Sequence, residues 1–218
     1  MKSYEAEKTE DLTNVIFLDI ETWSGDKPPI ELFEPKANLV DPLKIIKDVE
    51  EKQDKAWRAQ SLDGTQGQLF CFGFAVNDDP VQVIVGTDEQ ETAEMVDIEL
   101  ANYSFPKFIG HNIIDFDAPF LYHRGLKYRM KNIVNAFSDK TRLIDTMRLM
   151  DGPAFKKMVS LDKMAMLLLG HKAKQGITGK DVHDLILDSR GDDVIQYCAR
   201  DVDILRKCYK VLASMGVQ

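Results

Sequence analysis

The sequence predicts a mixed α/β fold, a sheet with parallel and antiparallel strands and helices on both faces. Three observations carry that prediction. A short apolar run, Val15-Ile16-Phe17-Leu18, reads as a strand buried on both faces. Residues 68–77 and 81–85, separated by Asp78-Asp79-Pro80, read as an antiparallel hairpin. From Glu89 onward, helical patterns alternate with two short strands, Lys107 to Gly110 and Arg142 to Asp145. The early hairpin argues against a purely parallel sheet.

Taken in order, residues 1–14 form a polar lead-in without the apolar core of a signal peptide. The first strand runs directly into Asp19-Ile20-Glu21-Thr22. After Trp23 the pattern gives way to proline and turn formers. Asp41 then serves as N-cap and Pro42 as first residue of a helix reaching about Ala59, with Ile45, Ile46, Val49, Ala56 and Trp57 as a broken apolar stripe. Residues 25–67 therefore read as an insertion with its own helix, inside a single domain spanning residues 1–218.

Beyond the hairpin, Glu89 to Tyr103 has helical character, as does Ala118 to Arg124 after the strand at Lys107. Thr146 to Met150 follows the strand at Arg142. Ser160 caps an apolar helix that stops at Gly170, and Met158, Met164 and Met166 read as core packing. A polar loop leads to a short helix over Asp181 to Asp188. The longest helical pattern, Asp192 to Met215, carries Val194, Ile195, Cys198, Val202, Leu205, Tyr209 and Leu212.

Composition narrows the classes. The 218 residues are 44% hydrophobic and 29% charged, ordinary for a globular protein. A net charge of −8 argues against coating nucleic acid through bulk charge, yet permits gripping one strand at a metal-loaded site. Cys71, Cys198 and Cys208 show no metal spacing and suggest reduced thiols in a cytosolic-type compartment. His111, His123, His171 and His183 are scattered, which argues against zinc. The longest apolar run, Leu69 to Val76, is too short to span a membrane.

The chemistry concentrates in a few residues. Strand side chains alternate, so Asp19 and Glu21 project to one face. Paired carboxylates at the end of a buried strand repel, unless a hard divalent cation sits between them or they are simply solvated. Asp117 lies in Asn112-x-x-x-Phe116-Asp117 at the start of a helix. Tyr197 and Asp201 stand four residues apart on the last helix and share one face.

D-I-E, N-x-x-x-F-D and Y-x-x-x-D, in that order, resemble the three motifs of the DEDD superfamily of 3′–5′ exonucleases. The similarity is to the tyrosine branch, which includes the proofreading domains of family B DNA polymerases. GHNIIDFDAPFL is similar to their second motif, and the insertion resembles that of stand-alone phage and bacterial exonuclease-like proteins. The resemblance covers residues 15–211, with 98 residues from Asp19 to Asp117 and 84 from Asp117 to Asp201. Gln196 stands where the histidine branch would place its histidine.

The resemblance implies a ribonuclease H-like fold, a mixed five-stranded sheet flanked by helices with a helical insertion after the first strand. It implies a metal-dependent 3′–5′ exonuclease that acts on DNA, preferably single-stranded, and leaves 5′-phosphomonoesters. Asp19, Glu21, Asp117 and Asp201 would hold two Mg²⁺ or Mn²⁺ ions, about 3.5–4 Å apart in two-metal hydrolysis. Tyr197 would aim the attacking water, an orienting role that suits a phenol of pKa near 10. Thr22 and Asn112 match positions that touch the terminal nucleotide, while Phe116 either contacts the last base or packs in the core. Lys172, Lys174 and Lys180 could bind phosphate or line a solvated loop. Asp115 and Asp145 read as turn residues or supports for the site, and His111 as structural. Expected partners are single-stranded DNA or DNA 3′ ends and replication or recombination proteins, in a bacterial or phage-infected cytoplasm. An RNA 3′-trimming nuclease and a non-catalytic nucleic-acid-binding module of the same fold are the alternatives.

Overall fold

A computed structural model describes residues 14–152, 158–171 and 176–217. Its five-stranded sheet is mixed. The strands are β1 (Val15–Trp23), β2 (Gln68–Val76), β3 (Gln82–Ile84), β4 (Lys107–Gly110) and β5 (Leu143–Asp145), in spatial order β3-β2-β1-β4-β5. β1 pairs antiparallel with β2 and parallel with β4, and β5 adds parallel to β4. The helices are α1 (Pro42–Ala59), α2 (Glu89–Leu100), α3 (Asp117–Tyr128), α4 (Lys131–Phe137), α5 (Thr146–Asp151), α6 (Leu161–Leu169), α7 (Val182–Leu187) and α8 (Gly191–Ser214).

Alternation on β1 builds the two layers. Ile16, Leu18 and Ile20 face a core closed by α2, α3 and α4 through Val96, Leu121 and Ile133. Phe17 faces the other way, onto Met164 of α6 and Val202 and Leu205 of α8. That second face is the one that carries Asp19 and Glu21 beyond Phe17. β4 pairs with β1 only as far as Phe17, so the last part of β1 has an open edge on that side.

Local chemistry fixes most of the boundaries. Asp41 caps α1 through Leu43 N–H, Asp88 caps α2 through Glu91 N–H, and Ser160 caps α6 through Lys163 N–H. Gly170 ends α6 in the left-handed region. α4 is an element the sequence pattern does not announce. It has no cap of its own; Asn132 and Ile133 N–H donate to Asp97 Oδ1, on α2, at 2.8 and 3.0 Å. A cap supplied from 35 residues away leaves no local signature.

The insertion departs from its expected packing. Ile45, Val49, Ala56 and Trp57 are only half-buried, and Ile46 is 54% exposed. The buried residue of α1 is a carboxylate, Asp48, which accepts from Lys36 N–H at 3.0 Å and pairs with Lys52 Nζ at 2.8 Å. The bond from Lys52 holds its carboxyl down at about 2. The two ends of the insertion are pinched together: a Cβ on Gly25 would stand 2.6 Å from Gln66 O, so only glycine allows that approach.

A buried ion pair anchors the insertion's return. Arg124 meets Glu89 with two bonds of 2.6 Å and donates to Gly64 O at 3.0 Å. Burial alone would raise the Glu89 carboxyl, but bonds from Arg124, Tyr128 and Leu69 N–H hold it below its usual value. Glu89→Gln leaves Arg124 buried without its counter-charge. The expected loss is about 3–5 kcal/mol in urea unfolding, and Glu89→Gln/Arg124→Met should recover a substantial part of it. A Glu89→Gln midpoint equal to wild type would contradict this.

Candidate active site

β1 delivers the first two carboxylates. Asp19 is half-buried and Glu21 is 7% exposed. Between Glu21 and Thr22 the pairing with β2 slips, so Glu21 opposes Cys71 while Thr22 opposes Leu69. Phe70 is the extra residue of this β-bulge, a device that re-aims side chains. It packs on Val182, Leu185, Val194 and Tyr197. The bulge thus fixes the end of the strand and seats the phenol of α8 beside it.

α8 can lie close to the sheet because residue 73 has no side chain. A Cβ there would stand 2.6 Å from Cys198 Sγ. Cys198 Sγ in turn donates to Asp19 O at 3.5 Å, and its ligand atom, with those of Asp19 and Glu21, falls within a 4.8 Å cluster. The sequence places Cys198 in the apolar stripe of this helix and among thiols without metal spacing; its approach to Asp19 depends on Gly73. The signal lay in its helix position, three residues before Asp201 and so on an adjoining face. Tyr197 hydrogen-bonds Asp201 one turn away, and both are buried.

Asp117 arrives from the opposite layer. It opens α3, and its Oδ1 accepts from Ile20 N–H at 3.3 Å, an edge donor β4 stops too early to meet. The turn that brings it there is organised by Asp145, which accepts from Asn112, Ile114 and Met147 N–H at 2.9, 3.3 and 2.9 Å. Asp145 therefore both caps α5 and supports the Asn112–Asp117 turn. Asn112 sits at φ 72°, the left-handed region that Asn tolerates, and its carbonyl accepts from Asp115 and Phe116 N–H.

Two cavities meet at Ile20 and Glu21. The smaller, about 250 Å³, is lined by Asp19, Glu21, His111, Ser160, Tyr197 and Asp201, among others. His111 is held there by Thr146 Oγ1 at 3.0 Å and Val159 O at 2.8 Å. The larger, about 910 Å³, is bordered by Glu21, Thr22, Phe116, by Arg58, Ser61 and Leu62 of the insertion, and by residues 178–180 and His183. Thr22 and Phe116 thus reach the larger cavity; Asn112 lines neither. Phe116 is half-buried and also packs 5.9 Å from Phe120, so it serves the core as well. Asp115 is a surface residue paired with Arg148, and Asp203 turns away to Arg206 and Lys207. Lys180 borders the larger cavity, while Lys172 and Lys174 lie outside the described residues.

A family described as predicted 3′–5′ exonucleases related to the exonuclease domain of PolB matches residues 76–206, more than half of the chain. The chain belongs to this family. The matched stretch of this exonuclease-related protein holds Asp117, Tyr197 and Asp201; β1, with Asp19 and Glu21, lies before it. The fold is also similar to the family B DNA polymerase of the hyperthermophilic archaeon Pyrobaculum calidifontis, at TM-score 0.56 and 15% identity. That likeness covers 93% of this chain and 24% of the polymerase, so the chain spans about a quarter of the polymerase's length. The architecture is thus ribonuclease H-like. No curated protein matches the sequence.

Burial and crowding make the cluster costly to ionise. Burial, then Asp19, Cys71, Asp201 and Asp117, push the Glu21 carboxyl well above its ordinary value. Burial pushes Asp117 up to about 7, against the pull of backbone N–H groups. Burial and the neighbouring carboxylates also raise Tyr197. An oxygen-rich donor set that is costly to ionise alone fits a hard divalent ion.

The sign of the resulting pH dependence follows. Unfolded, Asp117 loses its proton near 3.8; folded, near 7. Between those values the folded state holds the extra proton, so stability falls as pH rises. Without divalent ions, the melting temperature should therefore fall from about pH 5 to about pH 8, and less so in Asp117→Asn. Mn²⁺ should raise it more at the higher pH, by an amount equivalent to about 2.7 kcal/mol at a hundredfold excess over Kd. A metal-free melting temperature that climbs over this interval, or no response to Mn²⁺ at the higher pH, would refute the assignment.

Proposed function

We propose that this protein is a divalent-metal-dependent 3′–5′ exonuclease of the tyrosine type, removing nucleotides from the 3′ ends of single-stranded DNA. The observation that carries this reading is the meeting of Asp19, Glu21, Asp117 and Asp201 around the end of β1, with Tyr197 bonded to Asp201. It is supported by membership of a family related to a polymerase exonuclease domain.

Asp19, Glu21, Asp117 and Asp201 would hold two Mg²⁺ or Mn²⁺ ions. Bound there, such ions supply positive charge that activates water and stabilises the departing oxygen. The protein's own residues set the geometry. Ile20 N–H and the Asn112 turn fix Asp117, and the Phe70 bulge and Gly73 fix Tyr197 and Cys198. Tyr197 keeps its proton at neutral pH, so it orients a water by hydrogen bonding and does not act as base. The larger cavity, with Phe116 and Ile20 on its walls, offers apolar surface to a terminal base.

The test is digestion of 3′-labelled and 5′-labelled oligonucleotides with Mg²⁺, Mn²⁺ or EDTA, with matched RNA alongside. Stepwise 3′ loss from DNA that EDTA abolishes is expected, with release of 5′-mononucleotides. Asp19→Ala and Asp201→Ala should fall to background while keeping the wild-type circular dichroism spectrum. Tyr197→Phe should retain measurable turnover, reduced about a hundredfold, the scale of a misplaced reactant. Wild type inert with both metals would leave a binding module of the same fold; RNA digested in preference to DNA would reassign the substrate.

A further inference from the structure

The insertion reaches the site through separate contacts that converge on the larger cavity. Thr22 Oγ1, beside Glu21, donates to Ser61 O at 2.6 Å. At the end of α1, Arg58 donates to Asp184 Oδ1 on α7 at 2.8 Å, its guanidinium steadied by Asp54 at 2.8 Å. The rings of Trp57 and His183 meet edge-on at 4.6 Å and 89°. Trp57 Nε1 also donates to Gly25 O at 2.7 Å, tying α1 back to the start of the insertion.

These contacts bridge the two sides of the cavity. Arg58, Ser61 and Leu62 border it from the insertion, His183 from α7 and Lys180 from the segment leading into α7. Its volume, about 910 Å³, falls within the roughly 300–1,000 Å³ of pockets that enclose a small ligand. That is room for nucleotide-sized groups. Leu62 and Phe116 offer apolar surface and Lys180 a cation at the border, the pairing by which proteins bind single strands without reading sequence.

We propose that the insertion is the strand-selecting wall of this cleft: the Arg58–Asp184 and Trp57–His183 contacts hold α1 against α7, so that a single-stranded 3′ end enters and a base-paired end is excluded. The inference rests on the nuclease reading above. Arg58 and Asp184 are positioning residues in it. Their side chains are 39% and 55% exposed, so the pair is open to solvent and can be reversed in charge without disturbing the core. Thr22 links this wall to the strand that carries Glu21, so the wall and the acidic cluster share one framework.

The experiment compares wild type, Arg58→Glu, Asp184→Arg and the double charge swap. Binding of a short fluorescein-labelled single strand and of a blunt hairpin with the same 3′ sequence is read by anisotropy, with Ca²⁺ replacing Mg²⁺. Wild type should prefer the single strand. Each single variant should lose about fivefold of that preference, and the double variant should regain most of it. Asp184→Arg should still hydrolyse 4-nitrophenyl thymidine 5′-phosphate with Mn²⁺, an ester that needs the acidic cluster and no second strand position. No preference in wild type, an unchanged preference in the single variants, no recovery in the swap, or loss of ester hydrolysis in Asp184→Arg would each overturn the proposal. Because binding is read without turnover, failure of the nuclease reading shows separately, as absence of 3′ release with either metal.

Discussion

Burial of the carboxylates at the end of β1, with like-charge repulsion added at Glu21, sets the terms for the elements around it. Glu21 and Asp117 are almost wholly buried, and neither ionises readily where it stands. A fold that only needed stability would fill these positions with apolar side chains. This one instead surrounds them with restraints. Ile20 N–H engages Asp117 from the strand edge, Cys198 donates to Asp19 O, and Tyr197 donates to Asp201. Each of these three restraints is a hydrogen bond from a neutral donor. The result is a crowded, buried group of carboxylates whose surroundings are fixed by hydrogen bonds, the arrangement on which the proposed cation site rests.

The restraints come from different layers of the molecule, which explains why the site tolerates no loose element. β1 supplies two acids, the face covered by α8 supplies a third with its phenol, and α3 supplies the fourth from the opposite layer. The junctions between these parts are themselves buried and polar. Asp145 gathers three N–H groups to shape the turn before Asp117. Glu89 and Arg124 lock α2, α3 and the insertion's return at Gly64. Buried polar groups of this kind are stable only when all their bonds are made, so the parts that position the acids fold together or not at all.

Much of this was legible from residues alone. The apolar run before Asp19, the Asp41 and Ser160 caps, the Gly170 stop and the spacing of Tyr197 and Asp201 are local signals, and the structure contains each of those elements. What the sequence concealed is non-local. α4 borrows its cap from Asp97, Asp145 serves a turn more than thirty residues before it, and Cys198 depends on a missing side chain at Gly73. The bulge at Phe70 is invisible to a period-two reading, because Gln68 to Val76 looks equally good in either register. The insertion misled for another reason. Its stripe suggested burial, but α1 faces too little protein to bury Leu43 or Ile46, so charge and backbone bonds hold it.

That composition of the insertion bears on what it can do. A helix seated on a large apolar interface is costly to move, since each fully buried Leu or Ile would contribute roughly 1.5–3 kcal/mol. α1 has instead an ion network at Asp48, two bonds to the carbonyls of Gly25 and Pro28, and an exposed ion pair to α7. Exposed ion pairs of that kind are worth about 0–1 kcal/mol. The end of α1 nearest the acids is the end that meets α7, while Leu43 in its first turn and Val40 just before its cap project into solvent. In the strand-selecting role proposed for it, the insertion would be anchored firmly at its return through Gly64 and Arg124 and more weakly where Arg58 meets Asp184, so a charge change at that pair would loosen the wall without releasing the anchor. The two ion pairs differ in strength because the Glu89–Arg124 pair is buried, where losing a partner leaves an uncompensated charge, and the Arg58–Asp184 pair is open to solvent.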